Sequence, residues 1–177
     1  LSVAQAETPE YLAGASRLQA LRTECDTLRE SSLDVLALRI HGQAEAMREA
    51  ALKAEHAALV SLVADLDWRL AMADSYAHPP GISGQMRYFD RALGFIDGVE
   101  EDVRLMQALE VQPEGMAELA ESVSLYVTSL NRMRPILSER TTLAQTVRET
   151  GDTVLGQWYK IMDTLDRDTS HGQQGAV

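Results

Sequence analysis

Prolines occupy only positions 9, 79, 80, 113 and 135 of this chain, and the long intervals between them carry apolar residues alternately three and four apart. Proline lacks a backbone N–H and crowds the preceding turn, so proline-free stretches with a seven-residue apolar repeat are the pattern of helices. From residue 84 the stripe is regular, through Phe89, Ala92, Ile96, Val99, Val103 and Met106. A second run follows in Met116, Leu119, Val123, Tyr126, Leu130, Met133 and Leu137, and continues through Ala144, Val147, Val154, Trp158, Met162 and Leu165. A helix with one such stripe needs a partner to bury it. The chain is therefore expected to be all-α, an elongated antiparallel helical bundle of roughly four to five helices with long first and last segments. It reads as a single domain over residues 1–177.

Turn chemistry places the boundaries. Thr8-Pro9-Glu10 reads as a helix start behind a stub of residues 1–8, with the threonine as N-cap and the proline at the first helical position. Ala77-His78-Pro79-Pro80-Gly81-Ile82-Ser83 reads as a tight connection, with Ser83 capping a helix over 84–110. Val111-Gln112-Pro113-Glu114-Gly115 reads as another, opening a helix over 113–167 that Pro135 must kink or break. The polar, glycine-bearing residues 168–177 read as a flexible tail.

Residues 9–78 divide less clearly. Leu18, Leu21, Cys25 and Leu28 set one stripe, and the frame then slips by about one residue to Leu33, Leu36 and Ile40, a slip that changes local winding. An unbroken helix of roughly 70 residues would run about 105 Å. A hairpin turning near Gly42 is the expectation, with a continuous rod as the alternative.

Composition bounds function. At 45% hydrophobic, 177 residues suffice for one core. Sixteen Lys and Arg against 27 Asp and Glu give a net charge of −11, which opposes nucleic-acid binding. The lone cysteine, Cys25, cannot form an internal disulfide and reads as a small buried hydrophobe. No apolar run reaches the length of a membrane span, so membrane contact is expected only through segments outside this fragment. Gly-rich phosphate loops, Gly-x-Ser-x-Gly and His-Glu-x-x-His are missing from the sequence, and Glu55-His56 lacks the Glu-x-x-His spacing of di-iron bundles. No catalysis, cofactor or metal is expected.

One constellation carries chemistry. Folding about residue 81 sets Ser75 beside Arg87, and folding about 111–112 sets Arg91 beside Arg132. Arg69, Arg87, Arg91, Arg132 and Arg134 then gather within about three turns, close to Trp68, Tyr76, Tyr88 and Asn131. Guanidinium forks match carboxylates in paired hydrogen bonds, so this layer is the expected site for a small organic anion. Its candidate ligand-binding residues are Arg69, Arg87, Arg91, Asn131, Arg132, Arg134, Tyr88 and Trp68. The alternative is that these arginines pair in water with Asp67, Asp74, Asp90 and Asp97.

Long, acidic, alanine-rich helices with Tyr-x-x-x-Leu spacing, here Tyr126-Val127-Thr128-Ser129-Leu130, resemble the extracytoplasmic ligand-binding domains of bacterial chemoreceptors and sensor kinases. The four-helix-bundle and helical-bimodular types are nearest, and the likeness covers most of residues 9–166. It implies a periplasmic, usually dimeric helical module that holds a small carboxylate or amino acid between helices through arginines and a few hydroxyl or amide groups. Binding would then shift a signalling helix, in chemotaxis or two-component signalling. Ala4-Gln5-Ala6 before Glu7 has the form of a secretory cleavage site; a membrane span ending ahead of Leu1, or a chance Ala-Gln-Ala, are the other readings. The competing function is a non-catalytic periplasmic structural or assembly protein acting through coiled-coil contacts.

Overall fold

A computed structural model describes residues 2–77, 85–109 and 113–174. The protein is an all-α helical bundle, with no strand among the described residues. Its elements are α1 (Ser2–Leu28), a π-helical turn (Arg29–Leu33), α2 (Asp34–Lys53), α3 (Ala57–Ala77), α4 (Gln85–Gln107) and α5 (Met116–Gln174). The chain forms two compact units, residues 23–141 and residues 1–22 with 142–177.

The 23–141 unit holds the larger core. Leu36, Ile40 and Met47 of α2, Leu59, Val63, Leu66 and Leu70 of α3, the Phe89-to-Met106 stripe of α4 and the Met116-to-Leu137 stripe of α5 are all buried together. Neighbouring helices run antiparallel. His41 meets Asp67 across α2 and α3, Trp68 meets Phe95 across α3 and α4, and Asp90 meets Arg134 across α4 and α5. Cys25 is buried here as its position in the stripe implied, and burial pushes its thiol above the ordinary range, which keeps it unreactive.

The frame slip after Leu28 is not a change of winding spread over several turns. It is one wide turn: an i→i+5 segment takes up a single extra residue, so Leu28 and Leu33 both reach the core although they are five apart. Ser31 helps by donating its hydroxyl to the Thr27 carbonyl at 2.6 Å.

A hairpin does divide residues 9–78, but at Ala54-Glu55-His56 rather than Gly42, which lies exposed inside α2. The His56 N–H donates to the Ala51 carbonyl at 2.9 Å and the Glu55 N–H to the Leu52 carbonyl at 3.2 Å. This pair of bonds is the Schellman ending of a helix, usually built on glycine because its penultimate residue is left-handed. Glu55 occupies that position with φ of +56°. His56 then caps α3 by accepting the Leu59 N–H at Nδ1, at 3.3 Å. Replacing Glu55 by glycine removes the strain on Cβ and is expected to raise stability by about 1 kcal/mol, measured by urea unfolding.

Other boundaries also move. α1 starts at Ser2 with Pro9 inside it, not at a Thr8 cap, because Ala4, Gln5, Ala6 and Glu7 are strong helix formers and proline removes only one bond there. α5 starts at Met116, not at Pro113; Gly115, at φ of +82°, precedes it and accepts the Leu119 N–H at 3.0 Å. Pro135 does not break α5, since Met133 and Leu137 on either side are anchored in the core and the ring is exposed. The helix runs to Gln174, past the tail expected from 168. The Ser83 cap lies outside the described residues.

In the smaller unit α1 and α5 pack antiparallel. A Cβ on Gly14 would come 2.6 Å from Val147 Cγ2, and one on Gly151 would touch the Tyr11 ring at 3.2 Å. Small residues thus let the two backbones approach. Leu155, Trp158, Tyr159, Met162 and Leu165 remain exposed on α5.

Candidate functional site

The seam between α3 and α4 carries a run of stacked aromatic rings. Positions 68, 72 and 76 share one flank of α3, and 88, 91 and 95 share the facing flank of α4, because residues three and four apart lie above one another. Tyr88 stacks on Tyr76 at 6.2 Å between centroids, Tyr76 stacks on Phe95 at 5.6 Å, and Trp68 meets Phe95 edge-on at 5.7 Å. The Arg91 guanidinium sits 5.8 Å from the Tyr76 ring centroid, an attraction of about 0.5–1 kcal/mol at an exposed position. Arg87 is exposed one turn away on the same helix. The structure therefore brings Trp68, Tyr88, Arg87 and Arg91 to one surface. Phe95, which joins the two ends of the ladder, went unremarked in the sequence because it looks like any residue beside the core stripe.

The remaining arginines have separate roles. Arg69 turns towards α4 at Gly98 and Asp102, with Nε 3.2 Å from Asp102 Oδ2, although neither atom makes a well-angled hydrogen bond. Asp102 is only 3% exposed. Burial pushes its carboxyl above the ordinary range, with Arg69 opposing the shift and Asp65 and Glu101 adding to it. Arg69 thus neutralises a buried carboxylate. Arg134 pairs with Asp90 at 3.4 Å, both half-exposed, an interaction worth at most about 1 kcal/mol. Asn131 and Arg132 are exposed on α5. Of the carboxylates expected as partners, Asp90 is used in that way, whereas Asp67 bonds His41. Arg87, Arg91 and Arg132 make no ion pair with a carboxylate among the described residues.

The other flank of α3 faces α2 across a groove of about 400 Å³. Asp34 and Asp74 line one end, and His41 and Asp67 the other, with Nδ1 and Oδ1 2.6 Å apart and the imidazole donating. Ala37, Leu70 and Ala71 lie between them. Tyr126 of α5 is 1% exposed, and its hydroxyl has no hydrogen-bond partner among the described residues. Burial drives its phenol far above the ordinary range, and the charges of Asp74 and Asp34 push it the same way.

Among the described residues no group of three or more His, Cys, Asp or Glu could hold a metal ion, and no helix is long and apolar enough to cross a membrane. No family model, curated protein or solved structure matches the chain.

Proposed function

We propose that this chain is an extracytoplasmic sensor module that binds a small organic anion, a carboxylate or amino acid, and passes a helix shift into chemotaxis or two-component signalling as a homodimer. The observation that supports it is the α3/α4 seam, where Arg87 and Arg91 stand one turn apart without a carboxylate partner among the described residues, beside the stacked Tyr76 and Tyr88. Paired guanidinium groups supply parallel N–H donors for a carboxylate, and an aromatic flank shields that contact from water. Asn131 and Arg132, exposed on α5, the helix whose Arg134 meets Asp90 of α4, are further candidate polar groups. Signalling follows only if the anion binds one arrangement of α3 and α4 more tightly than another.

Thermal unfolding of the whole chain against di- and tricarboxylates, amino acids, nitrate and phosphate tests the reading. A ligand at a hundred times its dissociation constant adds about 2.7 kcal/mol to the folded state. One chemical class is expected to raise the midpoint, and Arg91→Ala or Arg87→Ala to remove the rise. The reading fails if no class acts, or if the rise survives both substitutions.

A second reading, a non-catalytic assembly protein working through helix-to-helix contacts, draws support from the exposed Leu155, Trp158, Tyr159, Met162 and Leu165. It requires an unfolding midpoint that depends on protein concentration.

A further inference from the structure

We propose that the ligand of the α3/α4 seam is an aromatic carboxylate, whose ring continues the stack that Phe95, Tyr76 and Tyr88 begin and whose carboxylate is held by Arg87 and Arg91. This rests on the reading of the seam as an anion site and names the class of anion. The three rings are near-parallel, with Tyr76 inclined 12° to Phe95 and 21° to Tyr88. Trp68 meets Phe95 at 83°, so the parallel run does not continue through it. At the other end Tyr88 stacks on no ring but Tyr76 among the described residues, and it is 41% exposed. The stack is open there to one more flat ring.

Two further observations converge on that end. Tyr76 and Phe95 pack against the buried core, whereas Tyr88 stands outside it, so the Tyr88 ring adds little to the fold and presents an aromatic surface to solvent. The cations gather at the same end. Arg91 lies against Tyr76 and Arg87 follows one turn nearer the start of α4, neither with a carboxylate partner among the described residues. The N–H donors of a guanidinium lie in its plane, so contact with a ring face leaves them for a carboxylate. The net charge of −11 repels anions at long range, and an anion that binds this chain does so through local contacts. An aliphatic carboxylate engages the guanidinium pair alone; an aromatic one engages the open ring as well.

Calorimetric titration of the whole chain with benzoate, cyclohexanecarboxylate and benzamide tests the proposal. Benzoate and cyclohexanecarboxylate have the same charge and the same number of carbons, so their ratio isolates the flat ring, while benzamide keeps the ring without the charge. Benzoate is expected to bind about three- to tenfold more tightly than cyclohexanecarboxylate. Benzamide should bind at least about tenfold more weakly than benzoate. Tyr88→Leu should bring the ratio of the two carboxylates to about one, and Arg91→Ala should weaken both. Equal binding of the two carboxylates, or a preference that survives Tyr88→Leu, overturns the aromatic class and leaves the anion seam standing. So does binding of another anion, lost in Arg91→Ala, by a chain that ignores benzoate. Silence towards every anion overturns both. The ratio is measured on the unsubstituted chain, so it decides even if Tyr88→Leu does not fold.

Discussion

Arg69→Met is expected to destabilise the 23–141 unit by about 2–4 kcal/mol at pH 7, because it strands a carboxylate that the fold has already buried. Methionine keeps most of the aliphatic stem of Arg69, so the loss isolates the charge. Asp102 is 3% exposed and has its carboxyl raised by burial even with Arg69 in place; without the guanidinium it rises further. The sign of the pH dependence follows. A carboxyl whose folded value lies above its unfolded value binds a proton more tightly when folded, so stability increases as pH falls from the raised folded value towards the ordinary carboxylate range. The deficit of Arg69→Met should therefore be full at neutral pH and shrink on acidification through that window. Adding Asp102→Asn to Arg69→Met should recover most of the loss at pH 7. Urea unfolding at several pH values checks both statements, and a deficit that is constant with pH would mean that Arg69 contributes packing rather than charge. Gly98 belongs to the same device, since a Cβ there would run into the Arg69 guanidinium.

Phe89→Ala is expected to cost about 3–5 kcal/mol, whereas Trp68→Ala should cost no more than about 1.5 kcal/mol. Both are large aromatics on facing helices, and residue size alone does not separate them. Phe89 is fully buried, packed with Ala92, Ile96 and the stripes of the neighbouring helices, so truncation leaves a cavity that the bundle cannot close. Trp68 is 58% exposed, and its one ring contact among the described residues is the edge-on meeting with Phe95. Equal losses in urea unfolding would make Trp68 a structural residue and remove it from the ligand surface.

The core was legible because burial follows the helical repeat. Phe89, Ile96, Val103, Leu119, Tyr126 and Leu130 are all buried, as their stripes required. The seam was partly legible for a related reason, since short connections fix helix register. Folding about residue 81 and about 111–112 anticipates Tyr76 beside Tyr88 and Asp90 near Arg134 to within a residue or two. What stayed hidden depended on features without a composition signal. The α2-to-α3 turn has glutamate where glycine would announce it, and moving that turn from Gly42 to residues 54–56 changes every partner across the pair. His41 meets Asp67 only in the observed register, so the groove between them could not be seen in advance. Likewise nothing in the sequence marks Asp102 apart from its acidic neighbours Glu100 and Glu101; its burial against Arg69 is a matter of register between α3 and α4.

The most direct test of anion binding at the α3/α4 seam is a fluorescence titration of Trp68 in a Trp158→Phe chain, which leaves one of the two tryptophans as reporter. Trp158 is exposed and belongs to the other unit, so its replacement leaves the seam intact. A saturable change in Trp68 emission with one class of small carboxylate or amino acid, abolished by Arg91→Ala and retained in Asp34→Asn, is the expected result. Emission that responds to no member of the panel, or responds equally in Arg91→Ala, would contradict binding at this seam.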